Sequence, residues 1–360
     1  MRRAALLILI LAATLSACQS GPVQIVQSKW QQAIHPCPEA HYWGLVWSPD
    51  SSHLAYAALT TGLGNSFVVD LNTRSTTSLD VPFNSGLIRG GPLAWSSDGK
   101  LLLDGLQAVI VNSDGSDWVQ LSAIPQPAIF GAAWSPDGTQ IATISPDPTR
   151  ADEQLSIYDV ASGAPTTIFN GASLLHPAWS PDGQHLAVIA ASTNPNHVIE
   201  HLSIIVMNPD GSDIRQITHD IDVSAFMWSP DGDQLALLIY SGPQLGVYVI
   251  NANGTGLRRL VAEWTWPIVW LPDGSGLIAP LTGSTLGTVN IDRIGQTGTL
   301  TTLFTMNVPT EPAFSPDATK IAYISDEKGY ADVYVMNVDG TDKMQLTRNP
   351  AYSNCFDWPF

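Results

Sequence analysis

Three features of the 360-residue sequence predict an all-β fold of four-stranded units closed into a ring. A composite turn motif recurs along nearly the whole chain at an almost fixed spacing. Short alternating apolar runs lie between the turns, separated by Gly, Pro, Asp, Ser and Thr, which is how antiparallel strands and hairpins read. No stretch after residue 20 carries a helical period.

The motif opens at Trp47-Ser48-Pro49-Asp50. It returns at Trp95-Ser96-Ser97-Asp98-Gly99, Trp134-Ser135-Pro136-Asp137-Gly138 and Trp179-Ser180-Pro181-Asp182-Gly183. Trp228-Ser229-Pro230-Asp231-Gly232, Trp270-Leu271-Pro272-Asp273-Gly274 and Phe314-Ser315-Pro316-Asp317 follow, and Trp358 is a last anchor without a turn. Successive anchors are 48, 39, 45, 49, 42, 44 and 44 residues apart, so eight anchors bound seven repeats.

Each repeat has one grammar. A short strand ends at the anchor. In the turn, Pro presets φ at the second position, Asp suits the third, and Gly takes the positive φ of the fourth. A second strand follows, as in 140–144 or 320–324, and a third, as in 247–250 or 332–336. A hairpin such as Asn208-Pro209-Asp210-Gly211-Ser212 or Asn337-Val338-Asp339-Gly340-Thr341 leads to a fourth strand, as in 214–218 or 344–347. Four antiparallel strands at this period make a β-propeller blade. One such sheet cannot bury both faces, so neighbours must cover it, and the Trp anchors are large enough to fill the gaps between blades. Seven blades are expected, with six or eight as the alternatives. A parallel solenoid would repeat faster, and tandem immunoglobulin-like sandwiches about half as often.

The Trp-Ser-Pro-Asp-Gly turn, with the Met-Asn-x-Asp-Gly-x-x-x-x-x-Leu-Thr return of 336–347, resembles the repeats of TolB-like propellers. The resemblance spans roughly residues 40–358 and implies a propeller domain at 41–360. Ser97 departs from it at the turn proline, Ser51 and Ala318 at the glycine, and Leu271 at the serine. TolB carries an additional amino-terminal α/β domain. Here residues 19–40 are too few for one, so the expected likeness is to the propeller alone.

Composition narrows the functional classes. The chain holds 15 Lys+Arg against 32 Asp+Glu, a net charge of -17. Such a body repels phosphate backbones, so nucleic acid is not an expected partner. Arg2 and Arg3, an apolar run from Ala4 to Ala13, and Leu15-Ser16-Ala17-Cys18 read as an export signal. Its end resembles the lipobox of bacterial lipoproteins. That resemblance implies a signal peptide at 1–17, a lipidated Cys18, and a tether at 18–40. Without Arg2 and Arg3 the mature balance is 13 basic less 32 acidic residues, or -19. Acyl chains would hold the protein at the bacterial cell membrane or outer membrane, facing the periplasm or the exterior. Outside the cytoplasm disulfides persist. First and last blades of a ring must be neighbours, so Cys37 and Cys355 are expected to form a disulfide across its closure.

Chemical motifs are sparse. The Asp-Gly turns lack the twelfth-position Glu and flanking helices of an EF-hand. Gly283-Ser284-Thr285-Leu286-Gly287 has Thr where the nucleophile elbow of propeller-bearing prolyl oligopeptidase relatives needs Ser. The eight His include no His-x-His pair. His197 and His201 are four apart, and His41, His176 and His219 precede different innermost strands. No metal site and no cofactor is expected. The best mouth for a ligand is the face where the chain enters the innermost strands. Tyr42 and Trp43 approach Trp47, Trp264 and Trp266 approach Trp270, and Glu311 approaches Phe314, with Arg89 and His176 elsewhere on the rim. Aromatic faces beside a carboxylate suit a sugar, a peptide or a cationic group; the competing reading is that these aromatics pack between blades. The expectation is a monomeric, non-catalytic envelope lipoprotein binding a protein, peptide or saccharide. The alternative is an enzyme at the channel mouth acting on a carbohydrate or lactone, with or without a metal.

Overall fold

The structure is a computed structural model that describes residues 41–348, apart from 61–62, 80–91, 104–107, 122–130, 148, 150–151, 194–198, 220, 241, 264, 308 and 328–330. The export signal, Cys18, Cys37, Cys355 and Trp358 lie outside the described residues.

The chain folds into seven four-stranded antiparallel sheets, each built from four strands consecutive in sequence. The innermost strands are His41–Trp47, Pro92–Trp95, Ala132–Trp134, Leu174–Trp179, Val223–Trp228, Val269–Trp270 and Thr310–Phe314, in blades 1 to 7. Every anchor from Trp47 to Phe314 thus ends an innermost strand. No helix among the described residues is long and apolar enough to cross a membrane.

The core is divided among the seams. Period-2 alternation sends successive side chains of a strand to opposite faces. In the second strand of blade 5, Gln234–Ile239, the side chains of Leu235, Leu237 and Ile239 join a cluster with blade 4. Ala236 and Leu238 join a cluster with blade 6. Seven such clusters, one per seam, hold the described residues together. A strand buried on both faces reads as a continuous apolar run, which is why 235–239 has no polar residue.

The anchors do more than fill space. The indole N–H of Trp95 donates to Val46 O at 3.1 Å, the backbone carbonyl just before the preceding blade's anchor. Trp179 donates likewise to Ala133, Trp228 to Ala178 and Trp270 to Met227. Trp47 reaches from blade 1 to Ala313 O of blade 7 at 2.9 Å. A second closing bond runs from Asp317 N–H to Ser51 Oγ. Phe314 has no side-chain N–H to give, and the buried Trp134 Nε1 finds no acceptor among the described residues.

The anchor turns are hydrogen-bonded cages. The buried Ser donates to the Asp two residues on at 2.5–2.6 Å in blades 1, 2, 3, 4, 5 and 7. Its oxygen also accepts the first backbone N–H of the second strand, such as Gln140 or Gln234. Gly138 and Gly183 take φ of 73° and 70°, as the turn requires; Ser51 and Ala318 adopt 59° and 56° despite their Cβ atoms.

In blades 4 and 7 the outermost strand is shorter than the sequence predicts. In blade 4 only Arg215–Gln216 pairs as strand, because the Thr218 hydroxyl takes the N–H of Ile204 that a longer ladder would use. Thr347 does the same for Val333 in blade 7, where its hydroxyl also donates to the buried Asp332.

Candidate functional site

Antiparallel order puts the starts of the innermost and third strands at one edge of every blade, opposite the anchor turns. That edge is irregular. Innermost strands slip register before their anchors, between Trp43 and Val46, Pro92 and Ala94, Leu175 and Ala178, Val223 and Ala225, and Thr310 and Ala313. A bulge re-aims side chains and is common at functional rims.

His176 sits in one of these bulges with φ 52°. It stands three residues before its anchor, where blades 1 and 3 have Gly44 at φ 67° and Gly131 at φ 112°. A left-handed conformation is strained for a residue with a Cβ. Gly131 lies against it, since a Cβ there would be 3.7 Å from His176 Cα. The imidazole is open to solvent, yet enough protein surrounds it that desolvation lowers its pKa. At neutral pH it is therefore an uncharged base.

Trp266 is 50% exposed, and the Trp266–Pro267 peptide is cis. Its segment is pinned just ahead of the indole to the second strand of blade 6, Gly276–Thr282. The buried Thr265 hydroxyl donates to Pro280 O. The Glu263 carboxylate accepts both the N–H of Thr282, at 2.6 Å, and its hydroxyl. A large aromatic face is thus presented to solvent from a fixed segment. Tyr240, 42% exposed, and Leu286, fully exposed, belong to the same edge in blades 5 and 6. Sequence reasoning missed Glu263, Thr265, Tyr240 and Leu286. The usable signal was the polar pair Glu263 and Thr265 just ahead of Trp266.

Tyr42 and Trp43 are half-buried. Tyr42 packs edge-on against Tyr56, with centroids 5.9 Å apart, in the cluster joining blades 7 and 1. Burial pushes its hydroxyl pKa up. Tyr42 therefore fills a seam, while the buried Trp43 Nε1 has no acceptor among the described residues. Glu311 lies on the innermost strand of blade 7, its side chain outside the described residues. Arg89, Trp264 and His197 also lie outside them. Blades 6, 7 and 1 are consecutive around the ring, so Trp266, Glu311 and Trp43 share one arc, with His176 in blade 4 away from it. The segment 283–287 is a hairpin between strands, not a strand-to-helix turn.

The sheet count, the strand order and the Trp seams define a seven-bladed β-propeller. Residues 104–260 match the family model of the TolB beta propeller domain. That stretch, 157 of the 360 residues, is similar to the repeats of TolB-like propellers. The chain is similar in fold to an oligogalacturonate lyase in complex with manganese, at TM-score 0.64 and 18% identity, covering 81% of this chain and 87% of that one. A Vibrio parahaemolyticus oligogalacturonate lyase matches at TM-score 0.63 and 15% identity, over 81% and 88%. TolB from Acinetobacter baumannii matches at TM-score 0.50 and 18% identity, over 82% and 79%.

These likenesses correct the expectation that the chain is not an enzyme. That expectation rested on the lack of a local motif, but lyases are built on this same propeller. In a propeller the groups around a mouth come from blades far apart in sequence, so catalysis leaves no compact signature. Among the described residues no three His, Cys, Asp or Glu side chains gather as metal ligands, so they do not assemble a manganese site.

Proposed function

We propose that this protein is an exported, lipid-anchored propeller that binds a saccharide at the mouth formed by the lead-ins to its innermost strands. The carrying observation is Trp266, half exposed on a segment fixed by Glu263 and Thr265. A rigid indole face stacks on a sugar ring at little entropic cost, and neighbouring polar groups orient it. The leader supports the address through Arg2, Arg3 and the Leu15-Ser16-Ala17-Cys18 end. A glycan array with the parent and Trp266→Ala tests the reading. Binding of one glycan class that disappears in the variant supports it; equal binding by both excludes the Trp266 face. Cell fractionation of Cys18→Ser tests the anchor, which is wrong if the variant stays with the membrane.

A second reading, catalysis on a bound carbohydrate or lactone at the same mouth, is favoured by His176. Its strained backbone holds an uncharged imidazole at the rim, suited to accept a proton. Turnover of any ligand found on the array, measured for the parent and His176→Gly, distinguishes the readings. Turnover lost in the variant with binding retained supports catalysis.

A further inference from the structure

The opposite edge of the ring carries a second site. Between blades 3 and 4 a cavity of about 390 Å³ is lined by Gln140, Ile157, Asp159, Thr166, Pro209 and Asp210, with Ala164 and Ile168. Its meaning emerges beside the seam of blades 5 and 6, which has the same backbone. In blade 3, Gln140 pairs with Asp159 and Ile157 with Thr166. In blade 5, Gln234 pairs with Asn251 and Val249 with Arg258. The next blade's hairpin seats identically in both seams. A Cβ on Gly211 would lie 2.7 Å from Ile168 O, and one on Gly298 would lie 2.6 Å from Leu260 O. Pro209 thus corresponds to Gln296, and Asp210 to Thr297.

The side chains differ. In the seam of blades 5 and 6, Arg258 crosses to the hairpin and donates through Nε to Gln296 O and through its guanidinium to Gln296 Oε1. Gln296 in turn donates to Gln234 Oε1 and Gly274 O, and Gln234 to Asn251 Oδ1. A guanidinium and its amide partner close that space. In the seam of blades 3 and 4 the matching positions hold Thr166 and Pro209, which are too short to cross. Blade 4 also places an arginine, Arg215, at this strand position. Meanwhile Asn251 is replaced by Asp159 and Thr297 by Asp210, and none of the residues lining the cavity is basic. Both carboxylates are ionised at neutral pH, held below their ordinary range by the hydroxyls of Ser162 and Ser212.

We propose that this cavity is a receptor for an arginine side chain of a partner polypeptide, which enters the place that the protein's own Arg258 occupies two seams away. The floor of Ile157, Ile168 and Pro209 would take the methylene stem. Asp159, Asp210 and the carbonyl of Pro209 would take the guanidinium, whose planar fork of donors matches such an arrangement better than an ammonium does. This site is independent of the mouth and of whatever binds there.

The test is an amide-shift NMR titration with the peptide Gly-Gly-Arg-Gly-Gly and its citrulline counterpart. Salt at about 150 mM screens general attraction to an acidic body. The arginine peptide is expected to shift the amides of Thr166, Ile168 and Gly211, the citrulline peptide about tenfold more weakly. Thr166→Arg supplies the missing side chain from within and is expected to abolish the shifts while matching or exceeding the parent's Tm. Asp159→Asn with Asp210→Asn is expected to weaken binding about tenfold. It should fold normally, since Asn208 and Asn251 hold the position of Asp159 in blades 4 and 5. Shifts scattered over the surface, equal binding of both peptides, or unaltered binding by either variant would overturn the assignment.

Discussion

The two ends of the innermost strands contrast. At the anchor end, six turns repeat one Ser–Asp hydrogen bond within a tenth of an ångström, and five indoles reach the same carbonyl of the preceding blade. At the mouth end the blades diverge: glycine in blades 1 and 3, His176 in blade 4 and Pro267 in blade 6 occupy equivalent places. The uniform end carries stability, because each seam needs the same bonds. The variable end is released from that duty, which leaves its residues free to differ from blade to blade.

The largest break in the contrast is expected at an anchor. Trp228→Ala removes a buried indole and its bond to Ala178, for a loss of about 3–5 kcal/mol in chemical denaturation. A loss below about 1 kcal/mol would show that the seams do not depend on their anchors. Ser180→Ala should lose about 1–2 kcal/mol, since it strips a partner from both Asp182 and the His185 N–H.

The same turns predict acid sensitivity. Hydrogen bonds from Ser48 and Ser52 lower the pKa of Asp50 to about 2, and Ser135, Ser180 and Ser229 hold Asp137, Asp182 and Asp231 below the ordinary value of 3.8. A folded-state pKa below the unfolded one adds stability above the unfolded value, and this is lost as pH falls through the folded value. Stability should therefore drop between about pH 4 and pH 2, less steeply in Ser180→Ala. Parallel curves for parent and variant would rule out the turns as the cause.

At the mouth, smaller effects of opposite sign are expected. His176→Gly relieves a strained φ and should gain about 1 kcal/mol in melting experiments. It should also flatten the stability loss on acidification below pH 6.5, because the lowered pKa means the native state resists charging this imidazole. A destabilised variant would place His176 with the structural residues. Trp266→Ala should move stability by less than about 0.5 kcal/mol, since half of the indole is already in water.

The blade count and the strand order were legible because the anchor turn recurs with its serine, aspartate and glycine in place. The indole-to-carbonyl bonds were not, since nothing local to Trp228 names Ala178, fifty residues earlier. The mouth was half legible. Tyr42 and Trp266 look alike in sequence, each on the approach to an anchor. One fills the seam to blade 7 and the other projects, because Glu263 and Thr265 tie down the chain just ahead of it. The cavity between blades 3 and 4 was invisible, since it is defined by what Thr166 and Pro209 are too short to reach.

The backward reach of the indoles gives the ring a direction of assembly. Each of Trp95, Trp179, Trp228 and Trp270 bonds to a blade that precedes it by 43 to 50 residues, so those contacts close over short stretches of chain. Trp47 alone must wait for a partner 266 residues downstream. Loop-closure entropy is therefore concentrated at one join, the last to form and the first to part. An opened ring would keep six seams intact as a curved stack, with the faces of blades 1 and 7 bare and complementary to those of another copy.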